Sequence, residues 1–309
     1  MTHEALTAST TVQQNFTMLE KDYDERPQFM KYEYCYDLRR SMSMMYLKQK
    51  YFVDTKWVSG FCTSPYRILN RFYLIYSYRI LLFLLAIIDI IYGIVNQTPI
   101  AQWLVYLTHY TLIAICLAIL NNFILTTILY INLKYHTQRT PWIWYQVYHS
   151  ITITIALGAG CIVFVLFWTL IFPTSPHIHN VRTILDHGIL WSLLFVDIFC
   201  FTRFPIYMID VIPLFFYALF YAILTVIFYA TKIKLSRERV GYVYSALNLN
   251  KEPTRAAILL TMFTTILPPL VIFLFWNIFR LRRTTDVGSS MSLQSKETTT
   301  SVASPLEQP

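Results

Sequence analysis

Charged residues are scarce in this chain, and their scarcity excludes an ordinary soluble domain. Only 14% of the 309 residues are Asp, Glu, Lys or Arg, while 56% are hydrophobic. Soluble domains carry about 25% charged residues. The composition is therefore typical of a membrane protein, and no soluble domain is evident.

The sequence predicts neither a disulfide framework nor a cleavable leader. Cys116, Cys161 and Cys200 fall in apolar stretches, while Cys35 and Cys62 lie in a polar N-terminal region. This distribution predicts reduced or inert thiols. The N-terminus lacks a basic region followed by an apolar one, so we expect no cleavable signal peptide. The first apolar span then acts as the insertion signal.

Six stretches meet the requirement of about 20 mainly apolar residues for a membrane-spanning helix. They are Phe72 to Val95, Trp103 to Ile131, Ser150 to Phe172, Thr183 to Phe201, Val211 to Ala230, and Ala256 to Phe279. The predicted fold is all-α, a polytopic membrane protein with six transmembrane helices in one bundle. A polar N-terminal region, 1–71, precedes the transmembrane domain, 72–280. A Ser/Thr-rich tail, 281–309, is expected to be disordered.

The net charge of +8 comes with basic clusters close to the span ends. There they meet anionic lipid headgroups, so membrane lipids are the expected partners and nucleic acid is not. A small excess of Lys and Arg on the side that holds both termini predicts cytoplasmic termini. The plasma membrane and the endoplasmic reticulum both fit, and the oligomeric state stays open.

Two polar clusters stand at the starts of spans two and four: Thr108-His109 and Asp186-His187-Gly188. Both spans begin at the same membrane face, so the clusters share a leaflet. A threonine hydroxyl is a poor nucleophile until a base removes its proton, and imidazole is the usual base. Thr108 and His187 are therefore the predicted catalytic pair, with His109 as a supporting polar residue.

Two acidic residues of the fourth span are predicted to support the site. Asp186 points about 100° away from His187 on a helix, so it is placed to orient a group of another span. Asp197 returns to nearly the same face about 16 Å deeper, where it is protonated or paired with a residue such as Arg79. His149, at the start of span three, is expected in an aromatic belt at the membrane interface.

Other interpretations of the same residues stay open. Hydroxyls inside membrane helices mostly bond to carbonyls or across helices, so packing alone explains Thr108. The set His177, His179, Asp186 and His187 has the residue types of a zinc site, but its spacing matches no established ligand pattern. We therefore expect neither a metal nor another cofactor. A transporter is a weaker alternative, since no run of charges traces a path across the bilayer.

Several segments resemble rolling-stone-like membrane proteins over roughly residues 72 to 280. They include Thr140-Pro141-Trp142, His187-Gly188-Ile189 with Asp197, Phe204-Pro205, and Val243 to Asn248 with Pro253. The resemblance implies a multispan protein of a family linked to muscle-cell fusion. Where that family would have Asn-Ser soon after the His-Gly pair, this chain has Leu190-Trp191-Ser192.

A more remote similarity is to the androgen-induced family of intramembrane threonine hydrolases. Tyr106-Leu107-Thr108 resembles the threonine motif of that family, and His187 falls where its histidine would lie. The similarity implies hydrolysis of fatty-acid esters. Two functions are therefore carried forward: a threonine hydrolase of lipid esters, and a non-enzymatic membrane protein of adhesion, fusion or membrane organisation.

Overall fold

The structure is a computed structural model of the whole chain. It describes residues 62, 64–66, 68–96, 106–135, 143–171, 181–203, 205–232, 244 and 247–281. The predicted tail beyond residue 281 and most of the predicted region 1–71 lie outside these residues, as do His177 and His179.

Helix is the only regular secondary structure among the described residues, as the sequence predicts. Helix α1 covers Phe72–Asn96, α2 covers Leu107–Tyr135, and α5 covers Val211–Thr231 after a 3₁₀ turn at Met208–Asp210. Three helices contain a π-turn: α3 (Ile143–Leu166, continuing through the turn Phe167–Ile171), α4 (181–201, with the turn Leu185–Ile189) and α6 (Pro253–Leu281, with the turn Met262–Ile266).

Five of the described helices are long and apolar enough to cross a membrane. They are Phe72–Val95, Leu107–Tyr135, Trp144–Thr169, Met208–Thr231 and Pro253–Leu281. These helices fit an integral membrane protein, in agreement with the composition. The fourth predicted span, Thr183 to Phe201, is helical as α4 but is not among the five.

Two predicted helix starts were wrong. Helix α2 begins at Leu107, after a bend at Tyr106, so Thr108 is its second residue. Helix α3 begins at Ile143, seven residues before the predicted Ser150. Five of the seven added residues are aromatic or polar and lower the mean hydropathy, although Gln146 and His149 are buried.

His149 shows why the predicted start of α3 was wrong. Its side chain is completely buried, whereas the sequence predicted a place at the membrane interface. The ring stacks on Tyr145 with centroids 6.3 Å apart, and it interacts electrostatically with Arg79 of α1. One face of the first two turns of α3, with Gln146 and His149, therefore packs into the protein interior, while Trp144 and Tyr148 remain exposed.

Helices α2 and α3 form the centre of the structure. In the apolar windows of α3 and α2, 72% and 56% of the residues are buried inside the protein, against 22% in that of α5. The outer helices expose large apolar side chains such as Leu81, Phe216 and Leu270. Exposed apolar residues on the outside of a helix set are what a lipid environment accommodates.

Two glycines allow neighbouring helices to approach α3 closely. A Cβ on Gly160 would lie 2.1 Å from Cδ1 of Trp191 in α4, and a Cβ on Gly158 would lie 2.5 Å from Cδ2 of Leu214 in α5. The indole N–H of Trp191 donates to the carbonyl of Leu157 at 3.0 Å. Trp191, at the departure from the rolling-stone pattern, thus joins α4 to α3.

A buried ion pair joins α1 to α4. Arg79 Nε donates to Asp197 Oδ1 at 2.9 Å, and the two side chains are 1% and 0% exposed. The sequence left open whether Asp197 is protonated or paired with a residue such as Arg79, and the structure shows the pair with Arg79. Asn122 of α2 donates to the second carboxylate oxygen at 2.6 Å, and Arg79 Nη1 donates to the Thr126 hydroxyl at 2.7 Å.

The chain just before α1 packs against the same ion pair. Cys62 is completely buried, and its sulfur lies 3.8 Å from both Arg79 Nη1 and the Thr126 hydroxyl. Burial raises the pKa of the Cys62 thiol, so it stays protonated at neutral pH. All four cysteines within the described residues are free, in agreement with the predicted reduced thiols.

We expect Gly160→Ala to lower the free energy of unfolding by about 1–3 kcal/mol, the usual cost of an overpacked core. The added methyl group must displace the Trp191 ring, which is partly buried and hydrogen-bonded to α3. Thermal unfolding in detergent measures the effect. The matched control is Gly188→Ala, whose Cβ would lie 3.4 Å from Trp168 Nε1. Equal melting temperatures for the two variants would contradict the prediction.

We expect Arg79→Met and Asp197→Leu each to lower the free energy of unfolding by about 3–5 kcal/mol, because each leaves an uncompensated buried charge. The double variant removes both charges and should be more stable than the sum of the single losses indicates. A double-mutant cycle on thermal unfolding in detergent measures this coupling. Additive losses would show that the two charges do not stabilise each other.

Candidate functional site

One end of the helix set collects most of the predicted site residues. Contacts between the helices place the starts of α2, α4 and α6 on the same side as the ends of α3 and α5. We call this side the Thr108 end. Leu107, Val163 and Tyr221 pack there as a buried group from α2, α3 and α5. The partly buried residues around them include Tyr217, Tyr244 and Phe263.

Thr108 is buried at the first turn of α2 and hydrogen-bonds to Tyr244. The bonds from Tyr244 reach both the side chain and the backbone of Thr108. The first N–H groups of a helix have no acceptor within the helix. The backbone N–H of Thr108 therefore donates to the phenol oxygen, and the Thr108 hydroxyl shares the same partner.

A second tyrosine caps the same helix end. Tyr221 of α5 hydrogen-bonds to the backbone of Leu107 and to the hydroxyl of Tyr244. The Tyr106 ring meets the Tyr244 ring edge-on, with centroids 6.1 Å apart. One turn along α2, the Thr111 hydroxyl lies 2.9 Å from the Tyr217 hydroxyl. Hydroxyl groups of α5 and of the following loop thus hydrogen-bond to backbone and side-chain groups at the start of α2.

Tyr244 comes from the connection between α5 and α6 and is partly buried against the group of Leu107, Val163 and Tyr221. Burial raises the pKa of Tyr244 above its usual range, so the phenol is protonated at neutral pH and can donate. Its carbonyl accepts from Leu247 N–H at 2.9 Å. The side chain of Asn248 accepts from the N–H groups of Asn250 and Lys251, which closes a turn just before α6.

His109 is buried next to Thr108 at the start of α2. Its ring meets the Tyr106 ring edge-on, with centroids 5.6 Å apart, and its backbone N–H donates to the Tyr106 carbonyl. The described contacts of His109 thus include the bend that precedes α2. Its predicted role as a supporting polar residue stays a prediction.

His187 lies in the π-turn of α4, and its ring is held on two sides. Nδ1 lies 2.9 Å from the Thr183 carbonyl, and the ring stacks on Phe167 with centroids 3.9 Å apart. A carbonyl oxygen can only accept, so this bond requires the proton on Nδ1. In the neutral imidazole, Nε2 then carries the lone pair that accepts a proton in general-base catalysis.

The π-turns of α3 and α4 pack against each other. Phe167 and Trp168 belong to the first, and they contact His187 and the Gly188 position of the second. A Cβ on Gly188 would lie 3.4 Å from the Trp168 indole nitrogen. Single-turn π-bulges occur frequently at functional sites because they redirect side chains within a helix.

Asp186 is buried on the side of α4 that faces α2. It interacts electrostatically with Cys116 of α2, as does Asp89 of α1. Cys116 lies eight residues after Thr108, about 12 Å further along the helix. Asp186 therefore lies near α2, and its predicted role of orienting a group of another span stays a prediction.

Thr108 and His187 lie at the same end of the protein, and their described hydrogen bonds go to different partners. The hydroxyl of Thr108 is bonded to Tyr244, while Nδ1 of His187 is bonded to its own helix. The π-turn of α4 contacts both α2 and α3. The direct pairing of Thr108 with His187 stays a prediction.

The alternative zinc site is covered only in part by the structure. Asp186 and His187 are described, whereas the other two predicted ligands are not. Within the described ranges, no group of three or more His, Cys, Asp or Glu side chains is arranged to hold a metal ion.

Sequence reasoning missed the roles of Tyr221 and Tyr244. Tyr244 lies far from Thr108 in the chain, in a loop whose path the sequence does not reveal. The one available signal was the presence of Tyr242 and Tyr244 in a connection that begins with basic residues. Tyr221 resembles the other aromatic residues of its apolar span, so no sequence pattern predicted its hydrogen bonds to Tyr244 and Leu107.

Comparison of the chain with protein-family models, with curated proteins and with solved structures finds no match. The class of protein therefore follows from the helices alone. The apolar helices described above fit an integral membrane protein with an all-helical fold.

Proposed function

We propose that the chain crosses the membrane six times as one bundle, with α4 as the additional crossing. Residues 181–201 of α4 span about 30 Å at 1.5 Å per residue, the thickness of the hydrocarbon core. Its acidic side chains, Asp186 and Asp197, are 8% and 0% exposed. Acidic residues within a membrane face the bundle interior. Both termini then lie on the cytoplasmic side, in the plasma membrane or the endoplasmic reticulum.

We further propose that the Thr108 end is the active site of an intramembrane hydrolase of lipid esters. The Thr108 oxygen attacks the acyl carbonyl carbon while Nε2 of His187 accepts its proton. The proton then passes to the departing alcohol oxygen as the ester bond breaks. Water, activated by the same histidine, hydrolyses the acyl-threonine and releases the fatty acid.

The orientation of the His187 ring is the observation that supports this proposal most strongly. The bond of Nδ1 to the Thr183 carbonyl leaves Nε2 as the basic nitrogen, and the Phe167 ring limits rotation. Half-burial of His187 keeps the ring accessible. Since a base needs a fixed tautomer, these contacts serve proton transfer more directly than they serve helix packing.

A non-enzymatic role in adhesion, fusion or membrane organisation is the second candidate, and one observation favours it. The hydroxyl of Thr108 is already hydrogen-bonded to the partly buried phenol of Tyr244. In this case Thr108 and the tyrosines stabilise the contact between α2, α5 and the loop before α6. The resemblance to rolling-stone-like proteins supports the same candidate.

We expect Thr108→Ala to abolish covalent labelling by an acyl-chain fluorophosphonate and hydrolysis of a fluorescent fatty-acid ester, because the nucleophile is lost. His187→Gln should lower both rates by about 10²–10⁴-fold, the usual contribution of a general base. Gel fluorescence and ester turnover in membranes are the measurements. Thr108→Ser should retain labelling.

The matched control for this experiment is Thr127→Ala. Thr127 lies near the other end of α2, where its hydroxyl donates to the Phe123 carbonyl of the same helix. It should label like the wild type. Undiminished labelling of Thr108→Ala would refute the nucleophile. Loss of melting temperature in Thr108→Ala, with neither labelling nor hydrolysis in the wild type, would favour the structural role.

A further inference from the structure

We propose that the outer side of the contact between α1 and α2 binds one anionic phospholipid. Its acyl chain lies along a ladder of aromatic rings, and its phosphate pairs with Lys134. The aromatic ladder consists of Phe72, Tyr76, Phe83, Phe123 and Tyr130. It begins at the end of the protein opposite to the Thr108 end, and its proposed role does not depend on the proposed hydrolase.

The rings of the aromatic ladder are nearly parallel. Tyr76 stacks on Phe72 and on Tyr130 with centroids 5.8 Å apart in both pairs, at angles of 18° and 9° between the ring planes. Phe123 stacks on Tyr76 at 6.1 Å and on Phe83 at 4.9 Å, at angles of 9° and 7°. Edge-to-face pairs are equally common in proteins. A run of stacked pairs alone gives α1 and α2 a continuous aromatic surface.

The aromatic ladder matches the depth of one membrane leaflet. Phe83 lies eleven residues beyond Phe72, about 16 Å along α1 at about 1.5 Å per residue. One leaflet contributes half of a hydrocarbon core that is about 30 Å thick. Tyr76, Phe83, Phe123 and Tyr130 are each partly exposed, whereas Phe72 is completely buried. An acyl chain of that leaflet can therefore contact the ladder over its whole length.

Positive charge stands at the end of the aromatic ladder that lies at the membrane surface. Lys134 is exposed in the last turn of α2, and its Nζ lies 5.9 Å from the ring centroid of Tyr130 and 5.5 Å from that of Tyr135. Arg71, also exposed, directly precedes Phe72. Neither the first turn of α1 nor the last turn of α2 contains an acidic residue. Basic residues at this level attract anionic headgroups.

A phospholipid is the occupant that uses both parts of this surface. The outer side of α1 exposes large apolar residues such as Leu81 and Leu84, so it lies against lipid in an integral membrane protein. A phosphate on the Lys134 ammonium gains a charge-assisted hydrogen bond, while methylene groups pack on the rings. A sterol, whose only polar group is a neutral hydroxyl, would gain little from this charge. In the proposed orientation Lys134 faces the cytoplasmic leaflet, which holds the anionic lipids.

The test is photo-crosslinking of lipids to the purified full-length chain in phosphatidylcholine liposomes. Two probes carry the same diazirine on an acyl chain, one on phosphatidylserine and one on phosphatidylcholine, and peptide mass spectrometry locates the labelled residues. We expect phosphatidylserine to label the ladder segments of α1 and α2 more strongly than phosphatidylcholine does. Lys134→Gln should lower this ratio about fivefold, the factor that corresponds to about 1 kcal/mol for one basic residue at an anionic surface.

Arg280→Gln is the matched control for the charge. Arg280 lies at the same end of the protein, on α6, and its guanidinium lies over the Trp276 ring at 5.6 Å. The substitution removes the same charge and a similar ring contact from a helix outside the ladder, so it should leave the ratio unchanged. Equal losses in the Lys134 and Arg280 variants overturn the site, as do equal labelling yields of the two probes in the wild type. Melting temperatures in detergent verify the fold of both variants.

Phe123→Leu tests the aromatic ladder itself. It keeps an apolar side chain but removes the central ring, so it should lower labelling of the ladder by both probes and leave their ratio unchanged. Its control is Phe216→Leu, which replaces an exposed ring of α5 and should change neither yield. Labelling that is insensitive to Phe123→Leu, or that cholesterol displaces, overturns the phospholipid site. Dimers of the purified chain in light scattering, without lipid labelling of the ladder, overturn it in favour of a second copy.

Discussion

The buried pair of Arg79 and Asp197 is the interaction on which the arrangement of the helices depends. Removing an ion from water costs several kcal/mol, and the cost is offset only when an opposite charge and hydrogen bonds are in place. Arg79 on α1 must therefore lie next to Asp197 on α4. The side chain of Asn122 on α2 donates a hydrogen bond to the second oxygen of the Asp197 carboxylate. The relative positions of these three helices follow from this requirement, and Cys62 packs against the same group.

The same constraint shapes the Thr108 end. The first N–H groups of α2 need acceptors, and in an apolar interior the protein must supply them. Tyr221 and Tyr244 do so from α5 and from the following loop. A site built in this way can bind a substrate only by exchanging partners. The proposed chemistry uses the same Thr108 hydroxyl that bonds to Tyr244.

The sequence predicted what depends on composition and on the cost of isolated charges. Apolar stretches located the long helices, and the need for an opposite charge pointed from Asp197 to Arg79. The start of α3 was wrong because hydropathy counts Gln146 and His149 as polar, while neighbouring helices bury both. The phenol of Tyr244 could not be assigned to Thr108, since residues so far apart in sequence share no local pattern.

The sequence by itself determined that the chain is helical and apolar enough for a membrane, because about 20 apolar residues suffice for each span. It also determined which ionisable residues must find partners there. The tertiary structure alone decided what those partners are. It paired Thr108 with Tyr244, stacked His187 on Phe167 and placed Trp191 against Gly160. Such contacts depend on how helices rotate and approach one another, and this is set by packing between distant segments.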